Sequence, residues 1–350
     1  MKICILSCSA LADEMAKHAK TVLEAVCKKN RPELTFCHWQ PSQEETESGV
    51  PSRETVDLCR TSDAVLFCLE RSGVCDKNYL ELLRLKLGLF GSMRPVRIFP
   101  SLSSCSTVKD PTAGGMNCLL VQEEWSDDLL PEQGEKVING DLCGYDVLLA
   151  NSQTAQLTAQ TAFHAAMKRR KKLICADLCE KMSSASLRRR VINLAASDFP
   201  EIELTRLSAA QICTRLVSAP GSFDVVLADP LLGNLLFSGA TAITGVPNLQ
   251  CAACFGYGKQ GLYYNAAPLL QSGENEDSTC PVAVILAMAM ALRHSLNLEK
   301  EAQCIEKAVE KVLSLGRTAD IHQLSLPVVS ASVFTAYIAQ TAAEYIASAG

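Results

Sequence analysis

Short apolar runs of strand length alternate with longer stretches of helical period along almost the whole chain. Ile3 to Leu6 is the first such run, and Leu11 to Cys27 follows it with apolar residues at helical spacing. Ala64 to Phe67, preceded by Asp63, is again strand-like, and Tyr79 to Leu89 repeats leucine at helical intervals. Leu173 to Ala176, Ile202 to Leu204 and Asp224 to Ala228 predict strands, separated by predicted helices over Ser183 to Ser197 and Ala209 to Val217. Pro281 to Leu292 and Glu301 to Leu315 keep clear helical periodicity. A helix between two strands carries the chain back to its starting edge, so this alternation predicts an α/β protein with parallel strands flanked by helices. Two stretches break the pattern. Ser101 to Gly115 is rich in Ser, Gly, Pro and Thr and reads as a crossover between domains, and Gln271 to Thr279 reads as a polar, acidic surface loop. Gly134 to Asp146 carries hairpin signals centred on Asn139-Gly140.

Length and charge narrow the possibilities. The 350 residues suffice for one large domain or two modest ones, and 48% apolar with 20% charged residues is a globular composition. A net charge of −5 offers no footprint for nucleic acid. The basic clusters Lys168 to Lys172 and Arg188 to Arg190 read as helix-end charge on a solvated surface. Seventeen cysteines without a secretory signal fit a reducing compartment, where thiols behave as small hydrophobes. The most apolar run, Pro281 to Leu292, is too short for a bilayer and stops at Arg293. The expectation is a soluble, cytoplasmic protein with neither nucleic acid nor membrane as partner; a removed organellar transit segment stays open.

Several segments, collinear and at near-family spacing, resemble the isopropylmalate/isocitrate dehydrogenase family, closest to 3-isopropylmalate dehydrogenase. Leu83-Arg84 followed by Leu89 to Arg97 is similar to the family's L-R-K…L-F-A-N-L-R-P stretch. Ala162-Phe163 with Arg169 to Leu173 resembles A-F…R-R-K-K-L, and Pro220 with Phe223 to Val226 resembles P-x-x-F-D-V-I-V. Gly261 to Tyr263, Lys307 to Val309 and Arg317 to Asp320 match further landmarks in order. The resemblance implies a two-domain, non-Rossmann isopropylmalate dehydrogenase-like fold with parallel or mixed sheets flanked by helices. One domain would be 1–102 plus 255–350 and the other 103–254, the latter carrying an arm at about 134–150 that clasps a second subunit. Sites would lie between the domains and borrow residues from the neighbouring chain.

Members of the family oxidise a 2-hydroxy acid with NAD and decarboxylate the product with Mg²⁺ or Mn²⁺. That chemistry needs carboxylates for the metal, an acid and a base, and arginines for the substrate. Carried over residue by residue, the three metal positions hold Ala210, Asn234 and Ser238. The family lysine aligns with Leu178, with Lys181 three residues on, and the family tyrosine falls at Ala150, with Tyr145 nearby. Arg84 and Arg94 remain as a remnant of the substrate-binding set, while the third arginine aligns with Gln122. The N-terminal G-D-G-I-G turn reads Cys8 to Ala12, and the cofactor loop diverges after Tyr263 into Tyr264-Asn265-Ala266-Ala267-Pro268. No confident cofactor-binding residue results.

Cys251 and Cys254 form a CxxC, with Cys175 and Cys179 of like type elsewhere, but a lone CxxC supplies only two of the four ligands a zinc site needs. His18, His38, His164, His294 and His322 show no ligand spacing. The expectation is therefore a pseudoenzyme without cofactors, a structural or regulatory subunit in a homodimer, a heteromer with a paralogue or a larger assembly. The rival expectation is a diverged NAD- and metal-dependent 2-hydroxy-acid oxidative decarboxylase using other residues.

Overall fold

The computed structural model describes residues 1–27, 33–69, 74–109, 115–124, 132–266, 278–321 and 326–348. Ala267, Pro268, His322 and most of the Gln271 to Thr279 loop lie outside them. The strands are β1 (Lys2–Ser7), β2 (Thr35–Trp39), β3 (Ala64–Cys68), β4 (Leu89–Arg97), β5 (Asn117–Glu123), β6 (Gln133–Ile138), β7 (Asp141–Asp146), β8 (Lys172–Asp177), β9 (Glu203–Ser208), β10 (Val225–Ala228), β11 (Cys251–Gly256) and β12 (Gly261–Asn265). The α-helices are α1 (Ala10–Cys27), α2 (Gln43–Ser48), α3 (Arg53–Arg60), α4 (Val74–Lys86), α5 (Ser152–Met167), α6 (Ser183–Ala196), α7 (Ala209–Ser218), α8 (Pro230–Thr244), α9 (Val282–His294), α10 (Glu299–Leu313) and α11 (Ala331–Ser348). Two compact units contain them: residues 1–89, 97–110 and 241–350 make the first, and 90–96 with 111–240 the second.

In the first unit the strands run in the order β2-β1-β3-β12-β11, parallel except for the β12–β11 pair. Alternate residues of a strand face opposite sides, and here both sides are buried. Cys4 and Leu6 of β1, with Val65 and Phe67 of β3, pack under Val56 and Cys59 of α3 and Tyr79 and Leu83 of α4. α9 lies against β3, β11 and β12, α1 and α10 pack against it, and α11 packs on α1 and α10. Every residue from Val282 to Leu292 is buried, which is why that run is apolar all round. Among the described residues no helix is long and apolar enough to cross a membrane.

The second unit carries the order β5-β10-β8-β9, all parallel, with Phe90 to Val96 of β4 at its other edge. α5 packs on β5, β10 and β8, and α7 on β8 and β9. Asp224, fully buried just before β10, ties the edges together: it accepts from Arg169 Nε at 2.8 Å, from the Arg170 amide at 2.8 Å and from the Lys172 amide at 3.3 Å. A separate hairpin, β6–β7, turns at Asn139 (φ 53°) and Gly140 (φ 94°), the pair of positive φ angles that a type I′ turn requires. The expected parallel α/β class and the Asn139-Gly140 hairpin both stand.

Candidate functional site

Parallel α/β strands end in polar residues where their carboxyl ends open, and ligands bind there. In the second unit each central strand supplies one. Glu123 closes β5, Asp177 closes β8, and Asp229 follows β10 directly. Arg188 of α6 donates from Nε to Glu123 at 2.9 Å, both side chains being nearly buried. Thr154 of α5 donates its hydroxyl to the other Glu123 oxygen at 3.2 Å. Asp229 caps α8, accepting from the Leu231 and Leu232 amides at 3.0 Å each, and its second oxygen takes the Leu178 amide at 2.5 Å. Asp177 meets Arg189 at 3.3 Å. Burial, and secondarily the Asp229 charge, raise the Asp177 carboxyl above its ordinary range, against the pull of the nearby arginines.

Beside this row lies a second cluster, built on β4, the end of β5 and α8. Arg94 donates from Nη2 to Glu124 at 2.6 Å and from Nη1 to Asn234 Oδ1 at 2.7 Å. Gln122 donates to the same Asn234 oxygen at 3.1 Å. Phe237, one turn beyond Gly233, places its ring 5.2 Å from the guanidinium. Gly233 makes room for the Gln122 amide, since a Cβ there would stand 2.1 Å from Oε1.

The residues picked from the sequence are partly gathered here. Asn234 and Ser238 share one edge of α8, the Ser238 hydroxyl donating back to the Asn234 carbonyl at 3.0 Å. Leu178 is tied by its amide to the start of the same helix, but its side chain is exposed and apolar. Ala210 stands exposed in the first turn of α7, and Ala150 is half-buried in the segment before α5. Tyr145 is on β7, its hydroxyl donating to Glu132 at 3.0 Å. Arg84 belongs to the first unit, where its Nη1 donates to the Leu89 carbonyl at 2.9 Å and its other end pairs with Glu81. A divalent cation wants several anionic oxygens at short range. At Ala210, Asn234 and Ser238 the side chains offer a methyl, an amide already engaged by Arg94 and Gln122, and a hydroxyl turned to the backbone. Those residues do not fit the ion, and no reaction step is derived through it.

In the first unit Ser7 at the end of β1, His38 and Gln40 at the end of β2, and Asp13 in the first turn of α1 come together. Ser7 Oγ lies 2.8 Å from His38 Nε2, the same nitrogen is 3.2 Å from Asp13, and both Ser7 and Gln40 donate to the Asp13 carboxylate. The Asp13 carboxylate thus gathers donors at the carboxyl end of a strand that has parallel neighbours on both sides. The CxxC does not make a site: Cys251 and Cys254 lie three apart on β11 and so point to opposite faces. Burial pushes the Cys251 thiol up to about 12, leaving it protonated and inert.

Sequence reasoning missed Glu123, Glu124, Asp177, Asp229 and the Ser7–Asp13–His38 group. A usable signal existed for two of them, since Asp177 and Asp229 each directly follow a buried apolar strand.

Comparison with known proteins decides the family. The family model described as isocitrate/isopropylmalate dehydrogenase matches residues 2–338. The 3-isopropylmalate dehydrogenase of Syntrophotalea carbinolica is 31% identical over 336 residues, covering 92% of each chain. That of Pseudomonas syringae pv. tomato is 32% identical over 337 residues, covering 91% of this chain and 92% of its own. Among solved structures, a beta-decarboxylating dehydrogenase from Thermococcus kodakarensis superposes with a TM-score of 0.78 at 20% identity, covering 98% of this chain and 96% of its own. Isocitrate dehydrogenase from Methylococcus capsulatus gives 0.77 at 19%, covering 99% of both. At such identities the structures speak for the fold alone. The sequence relatives correct the expectation of a pseudoenzyme without cofactors. Chains alike over nine-tenths of their length are named as dehydrogenases, and a dehydrogenase must hand its hydride to an acceptor. Matched from residue 2 to 338 and related along nearly its whole length, the chain belongs to the isocitrate/isopropylmalate dehydrogenase family.

Proposed function

We propose that this chain is a dehydrogenase that removes hydride from a 2-hydroxy acid and passes it to a nicotinamide dinucleotide. One observation supports this above the rest: the relatives named 3-isopropylmalate dehydrogenase share 31–32% identity over more than nine-tenths of the chain. When bound, the dinucleotide supplies the hydride acceptor. The chain's own contribution is binding and orientation. Arg94 is the guanidinium placed to hold an acid at the second unit's strand ends, and Asp177, its carboxyl raised by burial, is the group there suited to exchange a proton. Asp13, His38 and Gln40 offer the first unit's contacts for a ribose.

The test is direct. The purified chain is mixed with NAD and either 3-isopropylmalate or isocitrate, with and without Mn²⁺, and the absorbance of reduced cofactor is followed. Reduction above the no-enzyme control is expected with at least one acid. No reduction with either acid, at millimolar cofactor and in both metal conditions, overturns the proposal.

A homodimer is proposed as the working form. Its support is the β6–β7 hairpin, a two-stranded ribbon of a kind barely stable alone in water. Val137 and Leu142, directly opposed across it, are each 69% exposed.

A further inference from the structure

In the first unit, α10, α11 and the turn Pro100–Cys105 border an open pocket of about 610 Å³, a volume within the range of small-molecule sites. No residue lining it belongs to the clusters around Glu123, Arg94 or Asp13. Lys307, Lys311 and Ser314 follow one another at intervals of four and three residues, the spacing that lines side chains up along a helix. Tyr345 and Ser348 come from the last turn of α11. Three charged side chains line the pocket, and Glu310 is already taken. Its carboxylate accepts from Arg97 Nη2 at 2.5 Å, and the Arg97 guanidinium lies 4.1 Å from the centre of the Phe99 ring. Lys307 and Lys311 are exposed, and their ammonium groups make no ion pair or hydrogen bond among the described residues. The helix dipole favours a cation in the last turn and accounts for Lys311, but not for Lys307 a turn earlier. Two uncompensated positive charges thus face one pocket, in a chain whose net charge is −5.

We propose that this pocket is a second ligand site, for the phosphate ester of a sugar or polyol. Two ammonium groups one turn apart balance a dianion, and a phosphate monoester carries close to two charges at neutral pH. Each ammonium is a compact charge with three donors, which suits a tetrahedral phosphate, whereas a planar carboxylate is better met by an arginine fork. The Ser314 and Ser348 hydroxyls are donated to the Lys311 and Tyr345 carbonyls at 2.6 and 3.0 Å, so they meet a ligand only as acceptors. Acceptors repel phosphate oxygens and take the hydroxyl groups of a sugar. The pocket is also far larger than a phosphate group alone can fill. Phosphate at Lys307 and Lys311, with hydroxyl groups toward Ser314, Tyr345 and Ser348, satisfies both halves of the lining.

The experiment titrates glucose 6-phosphate, glucose, inorganic phosphate and succinate calorimetrically into the full-length chain at low ionic strength. Glucose 6-phosphate should bind with a dissociation constant of about 1 mM or below, and about tenfold or more tightly than each of the other three. The double variant Lys307→Ala with Lys311→Ala should lose about tenfold or more in affinity for it. Arg94→Ala, in the second unit, should lose none. Absence of glucose 6-phosphate binding to the wild type overturns the proposal. So does succinate or inorganic phosphate binding as tightly, which would mean a site for any anion or for phosphate alone. Undiminished binding by the folded double variant overturns it as well, by placing the ligand elsewhere. Should that variant fail to fold, acetylation of the wild type read by mass spectrometry decides in its place. Bound glucose 6-phosphate should protect Lys307 and Lys311, and lysines that stay equally reactive overturn the assignment.

Discussion

Single side chains decide much of the local order, and Glu45 is the clearest case. Its carboxylate accepts from the Ser52 amide at 2.7 Å, the Ser42 amide at 3.0 Å and the Thr55 hydroxyl at 2.8 Å, and so joins the starts of α2 and α3. Burial pushes its carboxyl up, but the donors from Ser52, Ser42 and Thr55 outweigh that and bring it from 4.5 down to about 2. A carboxyl lowered by folding stabilises the native state fully above its unfolded value, and the contribution fades as pH falls through the folded one. Glu45→Gln should therefore cost on the order of 3 kcal/mol at pH 7. The gap to wild type should close between about pH 4.5 and pH 2. Urea melts across that range are the measurement, and a gap independent of pH would contradict it. Asp224 makes a second test at this scale. With no exposure and three donors to satisfy, Asp224→Ala should cost about 2 kcal/mol or more in the same assay. A loss below about 0.5 kcal/mol, the size of an ordinary surface change, would sink that account.

At the scale of elements, the hairpin and the end of α8 show two different demands on glycine. Gly140 has φ 94° with nothing within 4 Å of where a Cβ would stand, so only the backbone resists a side chain. Gly245 has φ 72°, and a Cβ there would meet the Cys105 carbonyl oxygen at 1.7 Å. Gly140→Ala should lose about 1 kcal/mol from left-handed strain alone. Gly245→Ala should lose clearly more, about 3 kcal/mol, because a backbone must also move. Paired thermal melts check the order of the two, and equal losses would refute the role given to the Cys105 contact. Elements of this kind were legible in sequence where one period dominated. α1, α6, α7 and α10 came within two or three residues of their predicted ends, while β2, with a mixed and half-exposed pattern, gave no readable signal.

For the whole molecule, the open question is assembly. The Val137 and Leu142 pair is apolar surface on a ribbon with no core of its own, and a second copy of the chain is the cover proposed for it. Wild type should sediment at twice the mass of one chain, and the double variant Val137→Asp with Leu142→Asp at one, with its helical circular dichroism retained. A monomeric wild type, or a dimeric variant, would remove the hairpin from that role.

The residues by themselves determined the class of fold, because strand and helix periods follow from which faces must be buried. They also determined the family, since ordered landmarks such as Phe223 to Val226 survive at their spacing. They did not determine the site. Glu124 is one acid among many in sequence, and only the placing of β4 beside β5 and α8 puts Arg94, Asn234 and Gln122 around it. The missing metal ligands pointed to an inactive chain, an inference the relatives overturned. A linear reading registers which family positions have lost their groups. Which charges meet depends on distances of a few ångströms between residues up to 140 apart in the chain, and only tertiary structure sets those.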